Sequence, residues 1–138
     1  MPFSITDGAE IMSLRSPLAR ARGLGSAKEG LGHWIAQRVT ALALIPLSIW
    51  FILSVISLAG SHYEQFQSWL SVPGNTALML LLLFCVFHHA QLGCQAVIED
   101  YIHGHGAKLA AILLVKMTSA LLGVFAAVAV LRAALVGG

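Results

Sequence analysis

The chain has 138 residues, 58% of them hydrophobic and only 10% charged, with a net charge of +2 and a mean hydropathy of +0.84. Those values lie outside the range of ordinary soluble domains and describe a small membrane protein. No nucleic-acid partner is expected, and no phosphate loop, paired Cys-x-x-Cys, nucleophile motif or internal repeat is present.

The first thirty residues mix Ser and Arg with Asp7, Glu10 and Glu29. A transit peptide is poor in acids, and a signal peptide places its apolar run close to the start. Residues 1–30 are therefore read as a retained cytoplasmic arm, basic enough to rest on lipid headgroups, ahead of a transmembrane domain over residues 31–138. Three apolar segments follow, at about residues 39–59, 75–98 and 109–135. A helix rising about 1.5 Å per residue needs roughly 20 apolar residues to cross hydrocarbon about 30 Å thick, so each segment is long enough. The fold class is an all-α membrane protein with three transmembrane helices.

Pro46 falls in the first turns of segment one, where a kink is tolerated because neighbouring groups can satisfy the freed carbonyl. The connection 60–74 carries Pro73 and Gly74 and no Lys or Arg, while the connection 99–108 carries Gly104 and Gly106 and is too short for a domain. Five of the eight basic residues, Arg15, Arg20, Arg22, Lys28 and Arg38, precede or open segment one. The positive-inside rule then puts the N-terminus inside, in cytoplasm or matrix, and the C-terminus outside. Trp34 and Trp69 stand at opposite edges as an interfacial aromatic belt, and Arg132 can snorkel at the outer end.

Segment two carries the chemistry. From Asn75 to Ile98 it holds no Lys, Arg, Asp or Glu, and His88 and His89 fall near its middle. An imidazole at that depth needs a partner, a cavity, a proton path or a metal. At about 100° per residue, His89, Gly93, Ala96 and Asp100 share one face, Asp100 lying only roughly 20° from His89. Two readings of that face stand. Small residues one and two turns from a histidine leave room for a flat macrocycle with His89 as axial iron ligand; small residues also let two helices approach, with His89 bonding the neighbour. His88 points about 100° away, on a stripe with Gln91 and Gln95 that is read as making interhelical hydrogen bonds. Cys85 and Cys94, nine residues apart on the same segment, are too distant to bridge and are read as small buried hydrophobes.

The run His89-Ala90-Gln91-Leu92-Gly93-Cys94-Gln95-Ala96-Val97-Ile98-Glu99-Asp100-Tyr101 resembles the second-helix signature of the D-type membrane-anchor subunits of succinate dehydrogenase (complex II): His-Ala, Gly four residues later, Asp-Tyr eleven and twelve later. Gln37-Arg38-Val39-Thr40-Ala41 is similar to the Arg-x-Thr-Ala that opens helix one in that family. The resemblance covers about residues 30–138 and includes three spans with an inside N-terminus.

The resemblance implies that His89 is one axial ligand of a b-type haem whose other ligand comes from a second anchor subunit, which completes the helical bundle. It implies that Tyr101, with Asp100 near it, lies at a ubiquinone site on the inner side, and that Arg38 lies near the haem propionates. A guanidinium at the inner end of a helix can hold carboxylates bidentately, although taken alone Arg38 also reads as a snorkelling topology signal. The family has a histidine near His33, which stands here five residues before Arg38, one short of the family spacing. Lys116, about two turns inside segment three, reads as snorkelling, with a place near the propionates or in proton delivery as the alternative. His103 and His105 flank Gly104 without a third metal ligand nearby.

The implied function is that of a membrane anchor in the bacterial inner membrane, or alternatively the mitochondrial one. It holds a flavoprotein subunit and an iron-sulfur subunit at the lipid surface and contributes to ubiquinone reduction. The chain has no dinucleotide fingerprint and no cysteine array for clusters, so it is not an enzyme by itself. Two alternatives are a haem-poor quinone anchor of fumarate-reductase type and a small proton-conducting or transporter subunit using His88, His89, Gln91 and Lys116.

Overall fold

The computed structural model describes residues 27–137, with side chains from Gly30 onward; the greater part of the proposed arm, residues 1–26, lies outside the described residues. Four helices and no strand make up the described chain: α1 (Ala27–Leu58), α2 (Tyr63–Ser71), α3 (Pro73–Tyr101) and α4 (His105–Val136). Of these, α1, α3 and α4 are long and apolar enough to cross a membrane. In hydrocarbon every backbone polar group must find its partner within the element, and helices of this length meet that requirement. Each exceeds the apolar segment that marks it, because polar flanks such as Glu99-Asp100-Tyr101 and His105 to Lys108 continue the helical hydrogen bonding beyond the hydrophobic stretch.

The chain divides into two compact units inside α1, between Trp34 and Ile35. In the first, the described residues form the opening turns of α1, with His33 and Trp34 exposed. The second unit holds the rest. Helix α1 runs on through Pro46 and ends at Leu58, where Gly60 takes a φ of 81° and Ser61 N–H bonds the Leu58 carbonyl at 3.0 Å.

Residues 60–74 are more than a connection. Tyr63, Phe66, Trp69 and Leu70 recur at helical spacing and place their rings and methyls on one face of α2. Trp69 stacks on Trp50 of α1 with centroids 5.7 Å apart and on Phe66 at 6.3 Å. Leu70 is 1% exposed. Trp69, read from the sequence as a belt residue, packs in an aromatic stack. The C-terminal carbonyls of α2 are capped from α3, Asn75 Nδ2 donating to Trp69 O at 2.8 Å and Thr76 Oγ1 to Leu70 O. Pro73 opens α3 at a position where its missing N–H goes unneeded.

Around Leu70 the core gathers Leu47 of α1 and Met79, Leu82 and Cys85 of α3, with Val130, Ala133 and Ala134 of α4 against them. Cys85 is buried and Cys94 exposed, both free thiols. Helices α3 and α4 pack along one another, and Gly123 provides the close approach: a Cβ there would meet the Phe87 ring at 3.6 Å.

Candidate functional site

At the other end of α3 the packing is polar. His89 is half-buried, and its Nδ1 lies 3.1 Å from Oγ1 of Thr40 on α1. Thr40 is buried, and the same oxygen lies 2.8 Å from the Ala36 carbonyl and 3.1 Å from the Gln37 carbonyl, one turn back on its own helix. Gln37 lies against Gly93: a Cβ at residue 93 would sit 3.7 Å from the Gln37 Nε2. The amide oxygen of Gln37 is buried and has no hydrogen-bond partner among the described residues. So the face of α3 that carries His89 and Gly93 is turned towards Thr40 and Gln37. Farther along the same line Ala96 and Asp100 are exposed.

With Nδ1 engaged, Nε2 is the nitrogen left for a metal. No group of three or more His, Cys, Asp or Glu that could hold an ion is present among the described residues. A free-standing metal site is therefore not built from the described residues. Iron carried in a porphyrin would ask less of the protein than a bare ion, and the half-buried His89 imidazole beside Gly93 is a nitrogen donor that could hold it.

The remaining sequence-predicted residues are less enclosed. Arg38 is exposed on α1, within one turn of Thr40, so it shares the level of His89. Tyr101 is 79% exposed at the last residue of α3, with Asp100 exposed beside it. Twelve residues of helix separate Tyr101 from His89, about 18 Å along the axis. The structure therefore joins His89 to Thr40 and keeps Tyr101 apart at the helix end.

His88 faces elsewhere. Its ring stacks on Phe84 at 5.5 Å with an interplanar angle of 11°. With Phe87, Gln91, Ser119 and Gly123 it lines an apolar cleft of about 370 Å³ between α3 and α4. The interhelical bond expected of Gln95 is replaced by one along its own helix, Nε2 donating to Glu99 Oε1 at 2.8 Å, while its other amide atom, Oε1, is buried without a partner. A spacing of four residues makes that intrahelical pairing the shorter reach. Lys116, His103 and His105 are exposed. The functional contact that sequence reasoning missed is Thr40, quoted in the helix-one motif but given no role; only the approach of α1 to α3 reveals it.

Three membrane-length helices, with a mid-span histidine on one beside a hydroxyl of another, define a small multi-pass membrane protein. The model of the succinate dehydrogenase/fumarate reductase transmembrane subunit family matches residues 12–131, and the chain belongs to that family. It is similar to the succinate dehydrogenase hydrophobic membrane anchor subunit of Rickettsia conorii, 32% identical over 108 residues that cover 78% of this chain and 86% of the relative. The subunit of the same name in Rickettsia bellii is 35% identical over 107 residues, with the same coverage. That of Paracoccus denitrificans is 34% identical over 98 residues, covering 71% of this chain and 75% of the relative. No solved structure matches. Membership makes the chain a subunit of an oxidoreductase complex, not an enzyme alone.

Proposed function

We propose that the chain is the D-type anchor of a bacterial succinate:ubiquinone oxidoreductase in the inner membrane. Residues 1–30 form a cytoplasmic arm, and residues 31–138 span the bilayer with the N-terminus inside. A second anchor subunit completes the bundle, and the two together tether the iron-sulfur and flavoprotein subunits. Two electrons taken from succinate pass through the iron-sulfur subunit to ubiquinone, which takes up two protons from the inner side and leaves as ubiquinol.

His89 would hold haem b through Nε2 together with a ligand from the second anchor, and Arg38 would hold the propionates. When bound, haem supplies one-electron exchange beside the quinone path. Tyr101 donates its hydroxyl hydrogen to a quinone carbonyl, a bond that strengthens as negative charge develops on that oxygen and so favours reduction as well as binding. Asp100, one residue away, sets a carboxylate at the aqueous edge where protons enter.

The observation that carries this reading is the hold on His89: Nδ1 is engaged 3.1 Å from Thr40, which leaves Nε2 for iron. The relatives' names support the complex. The test is isolation of the intact complex through a tag on this chain. Co-purifying flavoprotein and iron-sulfur subunits, a b-type reduced-minus-oxidised spectrum and succinate:ubiquinone reductase activity are expected. A complex with both soluble subunits and no haem signal would replace the reading with a haem-poor quinone anchor.

A further inference from the structure

We propose that Thr40 is the positioning residue of the His89 imidazole: its hydroxyl oxygen accepts a hydrogen bond from Nδ1–H, which fixes the tautomer, steadies the ring plane and strengthens Nε2 as a donor. This rests on the reading of His89 as a haem ligand.

A threonine hydroxyl has a single hydrogen to donate. Thr40 Oγ1 has three neighbours able to share it: the Ala36 carbonyl at 2.8 Å, the Gln37 carbonyl at 3.1 Å and His89 Nδ1 at 3.1 Å. Both carbonyls are acceptors only, whereas an imidazole nitrogen either donates or accepts according to tautomer. The shortest contact runs to Ala36 O, the back-bond that threonine makes within a helix. With the hydroxyl hydrogen spent there, the contact to His89 is a bond only if Nδ1 carries the proton and Oγ1 accepts it. Nε2 then bears the lone pair. The opposite assignment puts the proton on Nε2, where it blocks coordination.

The hydroxyl is an acceptor of middling strength. A carboxylate at Nδ1 draws the proton strongly and pushes the ring towards imidazolate; a hydroxyl already donating to a carbonyl polarises Nδ1–H without removing it. The position is fixed on both sides. Thr40 is buried, and as a β-branched residue it has few rotamers in a helix, so the acceptor is presented in one place. In a bilayer, an Nδ1–H without an acceptor has no water to turn to.

The test is a pair of substitutions in the intact complex, read by the low-spin EPR spectrum of the oxidised haem and by its midpoint potential. Thr40→Val keeps the shape and removes the acceptor; Thr40→Ser keeps the hydroxyl and removes a methyl. The valine variant is expected to shift or broaden the g-values and to raise the midpoint, because weaker donation from Nε2 stabilises the ferric form less. The serine variant is expected to retain both signatures. Loss of haem in the valine variant alone has the same meaning. Wild-type g-values and midpoint in Thr40→Val overturn the proposal, and so does an equal perturbation in both variants, which assigns Thr40 to packing. His89→Ala separates this from failure of the underlying reading: unchanged axial ligation there shows that His89 is not a ligand, whatever Thr40 does.

Discussion

The two ends of α3 are built on opposite terms. Where α2 crosses it, the chain completes itself: Trp50, Phe66 and Trp69 stack, Leu70 is enclosed, and the last carbonyls of α2 take hydrogens from Asn75 and Thr76. Towards Tyr101 it does not. Two amide oxygens, on Gln37 and Gln95, are buried without donors, and Arg38, Asp100 and Tyr101 are exposed. Buried polar groups are nearly always satisfied, and among the described residues these two oxygens are not, so the chain does not complete this end as it completes the other.

The comparison breaks most completely at His89. In the purified complex His89→Ala is expected to remove the wild-type low-spin b-type signal, whereas His88→Ala leaves it largely intact, because His88 stacks on Phe84 beside the α3–α4 cleft. EPR distinguishes true retention of the wild-type axial pair from substitute ligation by a neighbour. Equal loss in both variants would erase the distinction between the two faces.

Next in size is Tyr101→Phe, which keeps the ring and deletes one donor. Ubiquinone reduction is expected to fall about tenfold or more, with haem content and succinate oxidation by an artificial dye preserved. Both activities are measured on one preparation. Wild-type quinone reduction would make Tyr101 an anchor in the lipid interface and nothing else.

At the self-completed end, Leu70→Ala is expected to lower stability by about 2 kcal/mol through the cavity it opens, without changing the haem spectrum. Thermal unfolding in detergent with a parallel optical spectrum reads both quantities. A spectral change would mean that the two ends are coupled along α3.

The three spans were legible because hydropathy adds up locally, residue by residue. Helix α2 lay inside what was read only as the connection 60–74, because nine residues are too few to hold a helix alone. What holds it comes from other helices, the Trp50 ring, the Asn75 and Thr76 caps and the core around Leu70, and no local pattern announces that. His89 stood out from depth and from its spacing to Asp100 and Tyr101. Thr40 did not, because its partner lies 49 residues away. Gln95 and Glu99 were open to sequence reasoning as a four-residue pair; the stripe with His88 and Gln91 drew the glutamine towards a neighbouring helix instead.

The smallest expected effect is at Gly93, where the contact between α1 and α3 can be measured against the room needed by a bound macrocycle. A methyl at that position would lie 3.7 Å from Gln37 Nε2, an ordinary van der Waals distance that asks nothing to move. Replacing a helix-interior glycine by alanine also favours the helix by up to about 1 kcal/mol. If Gln37 is the closest neighbour of residue 93 in the assembled complex, Gly93→Ala is expected to raise the unfolding temperature slightly and leave haem content and EPR signature as they are. Gly93→Leu, too large to lie beside the glutamine, then forces α1 away from α3 and weakens the signal through Thr40. Should the single methyl of Gly93→Ala already displace haem, the macrocycle itself, and not Gln37, is what requires glycine one turn from the axial histidine, and the porphyrin edge runs along this face of α3.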